Sequence, residues 1–174
     1  MGETNATDTA GTLAGLVEHH ARERPDATAI RYGDLQWSWA EWAFRIARAA
    51  GVLRAAGIRR GDRVAFLDRN HPACLEVLFA AASIGAATTV VNWRVAADEM
   101  VHVLHDSGAR LLFAGADLHA AATAAADRVP SLERIVVVGG EADEYESLLA
   151  AAAPVPADAE IDAGDTALVI YSSG

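Results

Sequence analysis

The residues best suited to chemistry stand at the far end of the chain. Residues 167–171, Ala-Leu-Val-Ile-Tyr, read as a buried strand, and Ser172-Ser173-Gly174 breaks out at its carboxyl end. Small hydroxyl and glycine residues at such a place can open a phosphate-cradling loop. They expose backbone N–H groups, add hydroxyl donors and leave room for an anion. The same tripeptide also suits an ordinary turn. Other groups compete less well. His102 and His105 stand three apart on a helix with Asp106 adjacent, a spacing that can turn two imidazoles to one face for a metal. No convincing third and fourth ligand accompany them, so solvent-facing histidines are expected. His19 and His20 are neighbours and point apart on a helix. Cys74 could be a nucleophile only with exposure and a paired base; among apolar neighbours it reads as a packed thiol. Trp37, Trp39 and Trp42 could form an aromatic platform, but a strand end and a helix face explain them as packing. Trp93 lies just past a strand end, where ligands of α/β sheets approach. No catalytic residue and no metal ligand is assigned among these residues.

An alternation of helices and strands must position them. Thr12 can cap a helix with Leu13, Leu16, Val17, His20 and Ala21 on its apolar face, and Pro25 ends it. A hairpin follows, with strands over residues 28–32 and 35–37 and a Gly33-Asp34 turn. Ser38 and Glu41 form the capping box of a second helix with the buried stripe Trp42, Ile46, Ala49, Ala50 and Leu53, closed by Gly57. Gly61-Asp62 turns the chain into a strand over 63–67. Asn70 is the expected cap of a third helix, with Pro72 in its first turn and Leu75, Leu78, Phe79 and Ala82 facing inward; Gly85 ends it. Strands are expected over 86–91, 110–114, 135–138 and 166–171, and helices over 98–105, 117–127 and 145–152. This order means an α/β fold of βαβ units with a mostly parallel sheet.

Composition narrows the function classes. The chain has 174 residues, 40 of them alanine, and a net charge of −10. At 52% hydrophobic and 22% charged residues it can build a true core, which excludes disorder. One cysteine excludes a disulfide framework and a multi-cysteine zinc site. The acidic balance argues against nucleic acid as a partner. All 14 basic residues are arginine, so no mechanism can draw on a lysine from within these residues. Residues 1–11 are polar and read as a disordered leader, leaving 12–174 as the folded part. The longest uncharged stretch, 77–93, has 17 residues and carries Ser83, Gly85, Thr88 and Thr89. A membrane span needs about 20 apolar residues, so a transmembrane segment is not expected and the cytoplasm is the expected compartment. Residues 139–165 hold 8 Asp/Glu and no arginine, which reads as a short helix and a solvated surface connection rather than an acidic docking site.

Four stretches, taken together and in order, resemble a known family. They are Leu35-Gln36-Trp37-Ser38-Trp39-Ala40-Glu41; Gly61-Asp62-Arg63-Val64-Ala65 followed by Asn70; residues 78–85 continuing to Val91-Asn92-Trp93-Arg94; and Asp165 through Gly174, which is similar to the approach to Tyr-Thr-Ser-Gly-Thr-Thr-Gly-x-Pro-Lys-Gly. The resemblance is to the N-terminal part of the adenylate-forming (AMP-binding) superfamily, in its acyl-CoA synthetase or fatty-acid–CoA ligase branch, and it covers about residues 12–174. Asn92-x-Arg94 and Asp106-Ser107-Gly108-Ala109 favour the CoA ligases over peptide-synthetase adenylation domains. Val90 stands where the family has proline, and a small local backbone effect is expected there.

The resemblance implies a two-step reaction for a longer parent protein. A carboxylate, expected to be that of a fatty acid, attacks the α-phosphate of ATP, and the thiol of coenzyme A then displaces AMP. Mg²⁺, backbone N–H groups and lysines would neutralise the anionic reactants. Ser172, Ser173 and Gly174 map onto the opening of the phosphate loop as cofactor-binding residues. The loop lysine, a second lysine from a mobile C-terminal domain, the acid pocket and the adenine and ribose contacts lie further downstream in the family. The 174 residues alone are therefore expected to be inactive, to bind ATP, Mg²⁺ and coenzyme A at most weakly, and to self-associate through apolar faces. An amino-acid-activating or aryl-CoA ligase, or a non-catalytic α/β binding module, are the alternatives.

Overall fold

The computed structural model describes residues 11–172, so Ser173, Gly174 and all of the leader but Gly11 lie outside the described residues. The first element, α1 (Leu13–Glu23), starts at Thr12, whose hydroxyl accepts from the Gly15 N–H at 3.0 Å. The hairpin follows as β1 (Thr28–Tyr32) and β2 (Leu35–Ser38), antiparallel. Helix α2 (Trp39–Ala55) opens on the expected capping box: Glu41 N–H donates to the Ser38 hydroxyl, and Ser38 N–H donates to the Glu41 carboxylate at 2.8 Å. Then come β3 (Arg63–Leu67), α3 (Pro72–Ser83), β4 (Ala87–Val91), α4 (Ala97–Ser107), β5 (Leu111–Gly115), a 3₁₀ turn (Ala116–Leu118), α5 (His119–Ala126), β6 (Arg134–Val138), α6 (Glu144–Ala151) and β7 (Leu168–Ile170).

Strands β3 to β7 make one parallel sheet in the order β6-β5-β3-β4-β7. The apolar side chains alternate between its faces and build two cores. Helices α1, α2, α3 and α6 cover one face around Val64, Phe66, Phe113 and Val136. Helices α4 and α5 cover the other around Ala65, Leu67, Leu104 and Leu112. This is the expected α/β alternation. The ladder runs through Val90, which pairs with Phe66 and Ile170.

Several local expectations are corrected. On α1, which packs against α2 and α3, the buried residues are Ala14 and Val17, while Leu16 is exposed. The cap of α3 is His71 rather than Asn70: its Nδ1 accepts from Ala73 N–H at 3.2 Å, with Pro72 at the first helical position. The buried face of α3 is Ala73, Glu76, Val77, Ala80 and Ala81; Leu75 is exposed and Leu78, Phe79 and Ala82 are half-buried. The helix is apolar all round, so periodicity selects no face. The strand at the end of the chain is shorter than expected and is not buried. Ile170 is 73% exposed and Leu168 39%, because among the described residues β7 sits at the sheet edge beside β4.

The acidic stretch forms the expected short helix and a surface connection whose residues are mostly exposed, and it is also tied to the body of the fold. Arg134 pairs with Glu144, Arg45 with Glu146, Arg54 with Asp158, and Arg60 with Asp165. Val155 N–H donates to the Ala47 carbonyl and Asp158 N–H to that of Ser83, both at 2.8 Å. Gly51 lets this backbone lie against α2: a Cβ there would collide with the Ala153 carbonyl.

Candidate functional site

Ligands of open parallel sheets bind beyond the carboxyl ends of the strands, where successive connections leave toward opposite faces. That switch occurs here around β3. The chain leaves β3 toward α3 on one face, and leaves β4 and β5 toward α4 and α5 on the other. The residues just past these ends are Asp68-Arg69-Asn70, Asn92-Trp93-Arg94 and Ala116-Asp117, with Tyr171-Ser172 past β7.

Their side chains interact. The Arg69 guanidinium lies 5.0 Å from the Trp93 ring centre and that of Arg94 lies 4.5 Å away, so two cations share one indole. Arg69 also pairs with Asp117 at 3.1 Å. Asn92 Oδ1 accepts from Arg94 N–H at 3.0 Å, and Asp68 Oδ1 from Arg69 N–H at 2.7 Å, each tightening the turn out of its strand. Gly115 leaves room for the Asp68 carboxylate, which a Cβ would strike. Ser172 is exposed and makes no hydrogen bond within the described residues, which leaves its donors open to an anion. A cavity of about 550 Å³ opens between the hairpin, the first turn of α3 and β4, with Tyr32, Phe66, His71, Leu75 and Val90 among its walls.

The remaining candidates lie elsewhere in the fold. His102 and His105 are exposed, and among the described residues no group of three or more His, Cys, Asp or Glu could hold a metal. Cys74 is half-buried, and burial, with Asp68 nearby, pushes its thiol up to about 11. Trp42 is buried between Trp39 at 5.6 Å and Phe79 at 5.2 Å, edge-on to both, so it serves packing. No helix among the described residues is long and apolar enough to cross a membrane. Reasoning from sequence missed Arg69 and Asp117; their signal was position alone, charged residues just past strands of a parallel sheet.

The quoted motifs are joined physically. Asp62 accepts from Arg110 at 2.6 Å, Arg63 donates to the Ser107 carbonyl at 3.1 Å, and the Tyr171 hydroxyl donates to Asp106 at 2.6 Å. Burial and the Asp106 carboxylate push the Tyr171 phenol up to about 12.

A parallel α/β sheet with helices on both faces, whose last described strand runs on to Ser172, is the architecture of the N-terminal portion of an adenylate-forming enzyme. The chain belongs to the AMP-binding enzyme family, whose model matches residues 17–174. It is 42% identical to a feruloyl-CoA synthase of an Amycolatopsis species over 162 residues, covering 93% of this chain and 31% of that protein. It is 32% identical over 141 residues to the long-chain-fatty-acid–CoA ligase FadD13 of Mycobacterium tuberculosis, covering 81% and 28%. The inhibitor-bound crystal structure of the N-terminal domain of FACL13 from Mycobacterium tuberculosis matches it with a TM-score of 0.85 at 28% identity, covering 94% of this chain and 41% of that one. The chain thus spans about a third of the length of the curated relatives it matches.

Proposed function

We propose that these residues are the opening portion of an ATP-dependent acid–thiol ligase that makes an acyl-adenylate from a carboxylic acid and passes the acyl group to coenzyme A. The observation that carries this reading is β7, which leaves the carboxyl edge of the sheet into Ser172-Ser173-Gly174 within the family match. The exposed, unpartnered Ser172 suits a phosphate-receiving loop. Ser172, Ser173 and Gly174 would hold phosphate oxygens of ATP, and Mg²⁺ would neutralise charge on the same phosphates. Arg69, paired with Asp117, and Arg94 place two guanidinium groups over Trp93 at the rim of that edge. The 174-residue chain by itself is inactive on this reading, because it contains no lysine to meet the developing charge. Cytoplasmic action fits its single, unpaired thiol, Cys74. Alone, the chain self-associates through the edge strand β7.

A fatty acid is the first substrate class, supported by the FadD13 relative. An aryl acid is the second, favoured by the higher identity to the feruloyl-CoA synthase. The test is ATP–pyrophosphate exchange by the full-length protein with a panel that includes ferulate, indoleacetate and saturated acids of increasing length. Exchange that depends on one of these acids, followed by coenzyme A thioester formation, is the expected result. Exchange without thioester formation would reassign the second step, and exchange by the 174-residue chain above a protein-free control would overturn its inactivity.

A further inference from the structure

The segment that carries Ser172 follows a short strand. Strand β7 is three residues long and, among the described residues, lies at the sheet edge and pairs with β4. Its side chains Leu168 and Ile170 are exposed, while Tyr171, which follows the strand, packs against the second core. Among the described residues, the one side-chain hydrogen bond from 168–172 runs from the Tyr171 hydroxyl to Asp106 Oδ2, at 2.6 Å.

Asp106 stands on a firm element. Helix α4 is anchored in the second core by Met100, Val103 and Leu104. The residues after Asp106 close the helix. The buried Ser107 hydroxyl donates to the Leu104 carbonyl at 3.1 Å, Gly108 turns the chain at φ +64°, and Ala109 is fully buried. Arg63, at the start of β3, donates to the Ser107 carbonyl at 3.1 Å. The bond to Asp106 therefore ties the residue after β7 to the closing turn of α4. The acceptor is a carboxylate and the donor sits on a rigid ring, which makes the tether both strong and directional. The raised phenol value means the donor keeps its proton at neutral pH.

We propose that Asp106 is a positioning residue: by accepting the Tyr171 hydroxyl it directs the chain leaving β7 so that Ser172 faces the phosphates of ATP. This rests on the ATP-dependent reading above. Tyr171→Phe removes only the donor, Asp106→Ala removes the acceptor, and Asp106→Asn keeps an acceptor oxygen. In the full-length protein, pyrophosphate exchange is measured at varied ATP with saturating acid, then at varied acid with saturating ATP. Tyr171→Phe and Asp106→Ala should each raise KM for ATP about fivefold, the scale of one lost hydrogen bond. KM for the acid should stay unchanged, the double variant should be no worse than either single one, and Asp106→Asn should recover most of the loss. A role confined to stability would lower the melting temperature and leave KM for ATP alone. Wild-type KM for ATP in both single variants, or effects that multiply in the double variant, would overturn the positioning role while leaving the proposed reaction standing. Absence of exchange by the wild type with every acid would instead overturn the reaction, and the positioning role with it.

Discussion

Glu76 on α3 is fully buried and accepts from both Nε and Nη2 of Arg45 on α2, at 2.5 and 3.0 Å. The same carboxylate accepts from the Tyr145 hydroxyl of α6 at 2.9 Å. Arg45 turns its remaining donors to Glu146 and lays its plane 4.5 Å from the Trp37 ring centre. One buried acid thereby joins the two helices that cover β3 to the helix that begins the acidic stretch. Arg45 stays fully protonated there, since the two carboxylates outweigh its burial.

Removing Glu76 should therefore cost far more than removing a surface pair. Glu76→Ala leaves a partly buried guanidinium and a buried phenol without their acceptor. The expected loss is about 2–4 kcal/mol, below the upper range for buried pairs because Arg45 keeps some solvent contact. Arg128→Ala breaks the exposed pair with Asp98 and should stay within about 0.5 kcal/mol of the parent. Urea unfolding of the 174-residue chain measures both. Equal effects from the two substitutions would contradict the network.

What the sequence made legible follows from range. The capping box of Ser38 and Glu41, the glycine at 57 after α2 and the strand Arg63–Leu67 are encoded within a few residues, and all three stand as read. The buried face of α3 is not local. Glu76 is drawn inward by Arg45 and Tyr145, 31 and 69 residues away, and no periodicity announces that. The docking of the acidic stretch rests on pairs about a hundred residues apart, such as Arg60–Asp165. At the candidate site, Ser172 could be read from its place after an apolar run. The Arg69–Trp93–Arg94 stack could not, because its members come from the ends of two strands that become neighbours only in the sheet.

The close approach at Gly51 gives a second test of the docked stretch. Alanine in a helix gains about 1 kcal/mol over glycine in general. Here its Cβ meets the Ala153 carbonyl, a backbone atom that cannot rotate away, and overpacking of that kind costs about 1–3 kcal/mol. Gly51→Ala should lower stability by up to about 2 kcal/mol, the overpacking cost less the helix gain, and speed proteolysis within 139–165. A variant as stable as the parent, with unchanged cleavage, would show that the stretch does not need this contact.

Cys74 supplies a pH-dependent check on burial near the cavity. Its thiol is raised from 9.0 to about 11 by burial and by the neighbouring Asp68, which disfavours the thiolate. At pH 8 the reactive fraction should be on the order of 100-fold smaller than for the same thiol at its ordinary value. Iodoacetamide should thus alkylate the folded chain about 100-fold more slowly than the urea-unfolded chain. The folded rate should also keep rising with pH up to about 11. A plateau near pH 9 would mean that the thiol is solvated rather than packed.

The edge strand sets the behaviour of the isolated chain. Among the described residues the backbone of β7 pairs with β4 on one side only, and Ile170, Leu168 and Val90 lie exposed beside one another in register. An apolar edge with open N–H and C=O groups is a template for pairing with another copy. The 174-residue chain should scatter light as dimers or larger species at micromolar concentration. Ile170→Lys places a charge on the most exposed apolar residue of that edge, where lysine discourages pairing without disturbing the ladder. It should restore a monomer with an unchanged circular dichroism spectrum. A monodisperse wild-type monomer would sink the prediction, and so would an Ile170→Lys variant that still associates.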